Sequence, residues 1–233
     1  MTVRVRSLQS GKGAAGSLQT NFSDNFNRAN DNSLGPNWIR LLGGNDVAGV
    51  NGDSWATGFV QTNQCVIQGR GVNNPSATLF TTWVPVPVFN FRTFNAPRYF
   101  VQATFVAAVG IAVQIGVRMN QSHEAGPTTN PNGQDGYSMP FNGRLDKQTN
   151  GSAAATIGAN TVANGTARME VVNSGTQCTI TTFVNAVQVN QVTELAAAFP
   201  IMRGWPFITM LSVGGAPPTA NSLTLDDFSC GVF

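Results

Sequence analysis

Short apolar runs separated by Gly, Pro and Asn recur from Asn21 to the end of the 233-residue chain, and that punctuation most limits what it can fold into. Runs spaced roughly ten residues apart build β-sandwiches or barrels. In GFVQTNQCVIQG the second half alternates, with Gln64, Val66 and Gln68 on one parity and Cys65 and Ile67 on the other. TLFTTWVPVPVF runs into Pro85 and Pro87, which cannot donate to a ladder, so an edge or a strand exit is expected there. RYFVQATFVAAVGIAVQIGVRM reads as two long strands joined near Gly110. GYSMPFNGRLDKQ reads as a short hairpin, and TARMEVVNSGTQCTITTFVNAVQVNQVTE as three successive strands turning at 173–175 and at Asn185-Ala186. WPFITMLSVGG and SLTLDDFSCGVF close the chain, and TELAAAF before Pro200 is the one weak helical candidate. No repeat of fixed period appears, which argues against a propeller or β-helix.

Residues 1–20 form a separate zone. They are small, basic and Gly/Ser-rich, with Arg4, Arg6 and Lys12 ahead of the first acid, Asp24. Without a hydrophobic period such a segment is either a flexible tail or an arm that orders against a neighbouring subunit. The expected organisation is an extended N-terminal arm over 1–20 and one β-sandwich over 21–233. Residues 120–136 make a long polar loop, of the kind that is usually functional or mobile.

Charged residues make up 10% of the chain, against roughly 25% in an average soluble protein. Asn, Gln, Thr and Ser supply the polarity, which suits a surface held in contact with partners or copies. A net charge of +2 is no footprint for nucleic acid. No apolar run reaches the roughly 18 residues of a membrane span, and the first residues lack the apolar stretch of a signal peptide. Neither nucleic acid nor membrane is expected as a partner, and synthesis in the cytoplasm is. Cys65, Cys178 and Cys230 are too irregularly spaced for a disulfide framework or a zinc site, so buried free thiols are expected.

The chemistry of an enzyme is hard to assemble. Glycan hydrolysis needs two carboxyls flanking the bond, yet Glu124, Glu170 and Glu194 have no acidic neighbour two residues away. Asp226 and Asp227 are adjacent, which on a strand sends them to opposite faces. The single histidine, His123, lies in the polar loop, and no nucleophile or phosphate-loop motif occurs. The chain is expected to be non-enzymatic and to need no cofactor. The one ion worth weighing is a structural calcium on Asp24, Asp226 and Asp227, or on Asp46 and Asp53; against it, these acids could equally pair with Arg28 or cap turns.

FSDNFNRANDNSLGPNW, Phe22 to Trp38, followed by Asp53-Ser54-Trp55 and Gly58, resembles the opening of concanavalin A-like jelly rolls of the laminin-G type, closest to those of phage minor tail and virion proteins. The three-strand stretch from Arg168 to Glu194 resembles that family's meander, with Ala186 where glycine is usual, and LTLDDFSCG, Leu223 to Gly231, resembles its closing strand. The resemblance implies an all-β, two-sheet antiparallel jelly-roll sandwich whose first and last strands pair. Phe26, Trp38, Trp55 and Phe228 are then core or rim aromatics. It also implies a bacteriophage virion component, minor tail or tail-associated, with a capsid decoration protein as the alternative; its partners would be other virion proteins and copies of itself, with Arg4, Arg6 and Lys12 in the assembly arm. A further alternative is a carbohydrate-binding, host-adhesion module. Its platform would draw on Trp83, Tyr99, Tyr137 and Trp205, with Asn130, Asn132 and Gln134 of the long loop, and its partner would be a host-surface glycan.

Overall fold

The computed structural model describes residues 21–44, 56–69, 79–85, 98–108, 113–121, 134–148, 155–161, 165–174, 176–195, 205–212 and 221–233. Their fifteen strands, in chain order, are β1 (Asn21–Asp24), β2 (Trp38–Gly44), β3 (Ala56–Gln61), β4 (Gln64–Gly69), β5 (Leu79–Pro85), β6 (Arg98–Ala108), β7 (Val113–Gln121), β8 (Gln134–Pro140), β9 (Leu145–Gln148), β10 (Ala155–Gly158), β11 (Thr166–Ser174), β12 (Gln177–Val184), β13 (Val187–Leu195), β14 (Trp205–Ser212) and β15 (Asn221–Val232). They form two antiparallel sheets, a jelly-roll sandwich. The eight-stranded sheet runs β13-β12-β11-β6-β15-β4-β3 with β1 beside β15, and the seven-stranded sheet runs β10-β9-β8-β7-β14-β5-β2.

The first and last strands pair as the resemblance implies: Phe22 faces Cys230 and Asp24 faces Phe228. Strand β6 shows why the sandwich closes. Tyr99, Val101, Ala103 and Phe105 are buried, while Arg98, Phe100, Gln102, Thr104 and Val106 alternate on the outer face. The inward set meets Ile115, Val117, Tyr137, Met139, Leu145 and Ile208 of the other sheet in one core with Phe26, Trp38 and Phe228. Burying such apolar faces is the main drive to fold. The two long runs expected around Gly110 are β6 and β7, and they belong to opposite sheets. That is a crossover, not a hairpin.

One local expectation changes and two are narrowed. Pro85 ends β5, but β5 is flanked by β14 and β2, so the proline marks a strand exit and not a sheet edge. Thr193–Leu195, placed at the start of a helical turn, continue β13, because pairing with β12 runs out to Leu195 opposite Gln177; residues 196–199 lie outside the described residues. Phe26 sits beyond β1 with φ 53° and is fully buried. Its left-handed backbone swings the ring into the core, which a continued strand would not do. The thiols are buried as expected, and none of the three is in a disulfide. Burial raises the Cys65 and Cys230 thiols far above the ordinary range, with the negative charge of Asp24 adding to the effect at Cys65.

The β12–β13 hairpin turns on Asn185 (φ 51°) and Ala186 (φ 63°). A two-residue turn with both central residues left-handed is the geometry that favours Asn-Gly. Asn185 earns its place: its side-chain oxygen accepts from the Thr166 N–H at 3.0 Å. Ala186 bears the Cβ strain of the left-handed region with nothing in return. Ala186→Gly is therefore expected to stabilise the chain by about 0.5–1 kcal/mol, read as a higher urea midpoint with an unchanged slope. No gain, or a loss, would mean that the turn relaxes differently.

Candidate functional site

The segment that carries the opening motif folds into a hydrogen-bonded hub centred on Asp24. Its Oδ1 accepts the Phe26 N–H at 2.8 Å and the Arg28 Nη1–H at 2.6 Å, and its Oδ2 accepts the Trp38 indole N–H at 2.8 Å. Arg28 also donates to the Leu34 carbonyl, 2.8 Å away, tying down the SLG turn. Around this polar centre Trp38 packs on Phe26, Phe22 and Phe228, with ring centroids 6.0, 5.5 and 4.9 Å apart. The hub thus locks the start of the chain to its end.

The hub settles how Asp24 is used. Its carboxylate is committed to three donors, one of them Arg28, as in the ion-pair reading of the acids, and no three His, Cys, Asp or Glu side chains converge on a common point among the described residues. Asp24 and Asp227 line one shallow cleft, but with Asp226 they make no group of three converging ligands. Asp226 caps its neighbour, accepting the Asp227 N–H at 3.0 Å, and a bulge separates it from Ser229. Asp46 and Asp53 lie outside the described residues, as do Trp55, His123 and Glu124.

The remaining described acids are dispersed. Glu170 on β11 pairs with Arg168, Glu194 on β13 pairs with Lys147, and the buried Asp146 on β9 holds Arg144 at 2.6 Å and the Thr156 hydroxyl at 2.9 Å. Each is bound into its own structural contact on a different strand.

Tyr99 and Tyr137, offered as a sugar platform, are both 1% exposed. They occupy inward positions of β6 and β8, so they are core and not surface. Trp83, Trp205 and Gln134 have backbones in β5, β14 and β8, but their side chains lie outside the described residues, as do Asn130, Asn132 and the arm residues Arg4, Arg6 and Lys12.

The outer face of the eight-stranded sheet carries the groups that were sought elsewhere. Facing positions across β11, β6, β15 and β1 bring Arg168, Gln102, Ser229 and Ser23 into one transverse row. Arg168 Nη1 reaches Gln102 Oε1 at 3.4 Å, and its guanidinium lies 3.9 Å from the Phe100 ring centroid and 5.7 Å from that of Phe233. At the end of the row lies a shallow cleft of about 370 Å³ lined by Ser23, Asp24, Asn25, Gln102, Asp227, Phe228 and Ser229. A second shallow cleft, about 420 Å³, lies where Asp31 bridges to Val60 at the β3 edge, lined by Asn30, Asp31, Asn32, Phe59, Val60 and Gln61. Sequence reasoning missed the row. The alternation within RYFVQATFV separates Phe100 and Gln102 from the core set, but their alignment with Ser229 and Ser23 depends on pairings some 100 to 200 residues apart.

Among the described residues no helix is long and apolar enough to cross a membrane. No family model matches the chain, and no curated protein matches its sequence. Its fold is nevertheless shared with solved structures. The lectin UEA-II, complexed with galactose, superposes with a TM-score of 0.50 at 10% identity over 92% of this chain and 99% of that one. A β-1,3-glucanase from Mycobacterium marinum superposes with 0.50 at 12% identity over 94% and 100%, and a glycoside hydrolase family protein from Mycobacterium thermorestibile with 0.50 at 12% over 91% and 99%. At such identities the likeness is one of fold: the chain shares the jelly-roll sandwich of these structures, a frame that hosts unrelated functions.

Proposed function

We propose that this chain is a non-enzymatic structural and recognition protein of a bacteriophage particle, a minor tail or tail-associated component, that docks through its jelly roll and its N-terminal arm. The observation that carries the reading is the hub. Phe22, Asp24, Phe26, Arg28, Trp38 and Phe228, on which the resemblance to phage virion domains rests, interlock in space, which supports reading them as one motif. Two further features support it. The chain is poor in charge, and Asp146, Glu170 and Glu194 are each held in an ion pair on a different strand. A capsid decoration protein is the same reading at a different address.

Host-surface glycan as a partner is the second reading. The observation favouring it is an outer sheet face of hydroxyls and amides, including Thr104 with Thr166 and Thr179 with Thr193 in hydrogen-bonded pairs.

Particles purified through a density gradient and analysed by mass spectrometry test the first reading: the chain is expected at a fixed ratio to the other structural proteins. Removal of residues 1–20 is expected to leave a folded domain, by its circular dichroism, that no longer incorporates. Absence from the particles would sink the virion assignment, and normal incorporation of the truncated chain would sink the role of the arm.

A further inference from the structure

We infer that the cleft between β1, the bulge of β15 and Gln102 of β6 is a binding subsite for an uncharged saccharide, an inference that rests on the recognition role and names its surface and ligand class. Asp227 is a non-glycine residue at φ 48°, set in the bulge where the β15–β6 register shifts between Asp226 and Ser229. Left-handed backbone costs energy, less for Asp than for most residues, and it clusters at ligand-binding and active sites. Bulges cluster beside active sites too. Phe26 has the same strain, but there the hub and the buried ring account for it. Asp227 contributes no ring and no ion pair among the described residues; its side chain is exposed and lines the cleft.

The lining sets the chemistry. Ser23, Ser229, Gln102 and Asn25 offer hydroxyls and amides that both donate and accept, and Asp227 offers two acceptor oxygens on one carboxylate. Phe228 is fully buried, so its ring gives the cleft no apolar floor. A peptide or protein side chain would find no hydrophobic seat, whereas a polyol gains from every wall. Adjacent hydroxyls of a pyranose match a carboxylate in bidentate fashion, as a charge-assisted contact. The exposed carboxylate of Asp227 argues against a uronate or sialate, which would bring like charge to the site. A shallow, open site binds weakly, on the order of 1 mM for one copy, and display of many copies on a particle multiplies the effect.

The test is a ¹⁵N-resolved NMR titration of the full chain with neutral glucose-, galactose- and mannose-based tetrasaccharides, and with a uronic acid tetrasaccharide. At least one neutral sugar is expected to shift the Ser23, Asn25, Gln102 and Ser229 resonances, and the uronate is not. Asp227→Asn keeps a residue at home in the left-handed region and is expected to weaken binding about tenfold. Ser229→Leu fills the cleft and is expected to abolish binding; unchanged thermal midpoints in both variants show that the fold survives. Shifts confined to other surfaces, or affinity untouched by both variants, would overturn the subsite while leaving glycan recognition standing. No response to any neutral sugar from a chain found in purified particles would overturn the subsite alone and leave the virion role intact.

Discussion

Asp24→Ala is expected to destabilise the chain by about 4 kcal/mol. The carboxylate is 9% exposed and is the common acceptor for the Phe26 amide, Arg28 and the Trp38 indole. Hydrogen bonds to a charged group are worth about 1.5–3 kcal/mol each, so three would exceed the figure given. The discount comes from Arg28, whose side chain is 36% exposed and can return to water. The Trp38 N–H has no such recourse, because Trp38 is buried against Phe22, Phe26 and Phe228. For a chain of this size the loss corresponds to a thermal midpoint lower by roughly 10 °C. Asp24→Asn, which retains an acceptor for the Phe26 amide, should lose roughly half as much. A loss below about 1 kcal/mol in the alanine variant would show that the hub is a consequence of the fold and not one of its supports.

The second large effect is expected at the opposite side of the sandwich, at Asn190. Strand β13 is an edge of the eight-stranded sheet, and β10 is an edge of the other. Asn190, only 6% exposed, clasps the two: its Nδ2 donates to the carbonyls of Gly143 and Asn160 at 2.8 and 3.0 Å, and its Oδ1 accepts the Asn160 N–H at 3.3 Å. Thr182 completes the network, donating to the Gly143 carbonyl at 2.9 Å and accepting the Asn190 N–H at 3.2 Å. The clasp fits closely. A Cβ on Gly158 would lie 2.8 Å from Asn190 Cγ, and one on Gly143, which has φ +86°, would press on Val184 and Val189 at 3.0–3.1 Å. Asn190→Ala strips partners from the Asn160 amide and carbonyl and leaves a void, at an expected cost of about 3 kcal/mol. Hydrogen exchange should quicken first in β10 and the β8–β9 turn, since the clasp is what holds that corner shut. Uniform loss of protection across both sheets, with no local excess, would contradict a local clasp.

Both residues show where the sequence could be read and where it could not. Asp24 is legible, because it stands in a motif beside Phe22, Arg28 and Trp38, and the pairing of its acid with Arg28 was one of two readings open from the start. Asn190 is not. In VQVNQVTEL it looks like one more polar residue of a half-exposed strand, and only the approach of Gly143 and Asn160, some 30 to 47 residues away, makes it structural. Tyr99 and Tyr137 fail in the opposite direction. An aromatic beside polar neighbours suits a sugar platform and a core equally well, and the parity of its strand does not say which face is buried. Strand β8 shows the difficulty at its plainest: Gly136, Tyr137, Ser138, Met139 and Pro140 are all buried, so no alternation survives to be read.

The sequence by itself determined the all-β character, the strands and most of their turns, and the burial of the thiols, while the pairing of the first strand with the last is what the family resemblance implies. These follow from local periodicity, from residues that cannot continue a strand, and from one motif whose parts are close in the chain. Only the tertiary structure decided which face of each strand is wet, which acids are spent on ion pairs, and that Gln102, Ser229 and Ser23 stand in a row. Those outcomes depend on register between strands far apart in sequence. A shift of one residue in such a register exchanges inside for outside, and no local pattern fixes it.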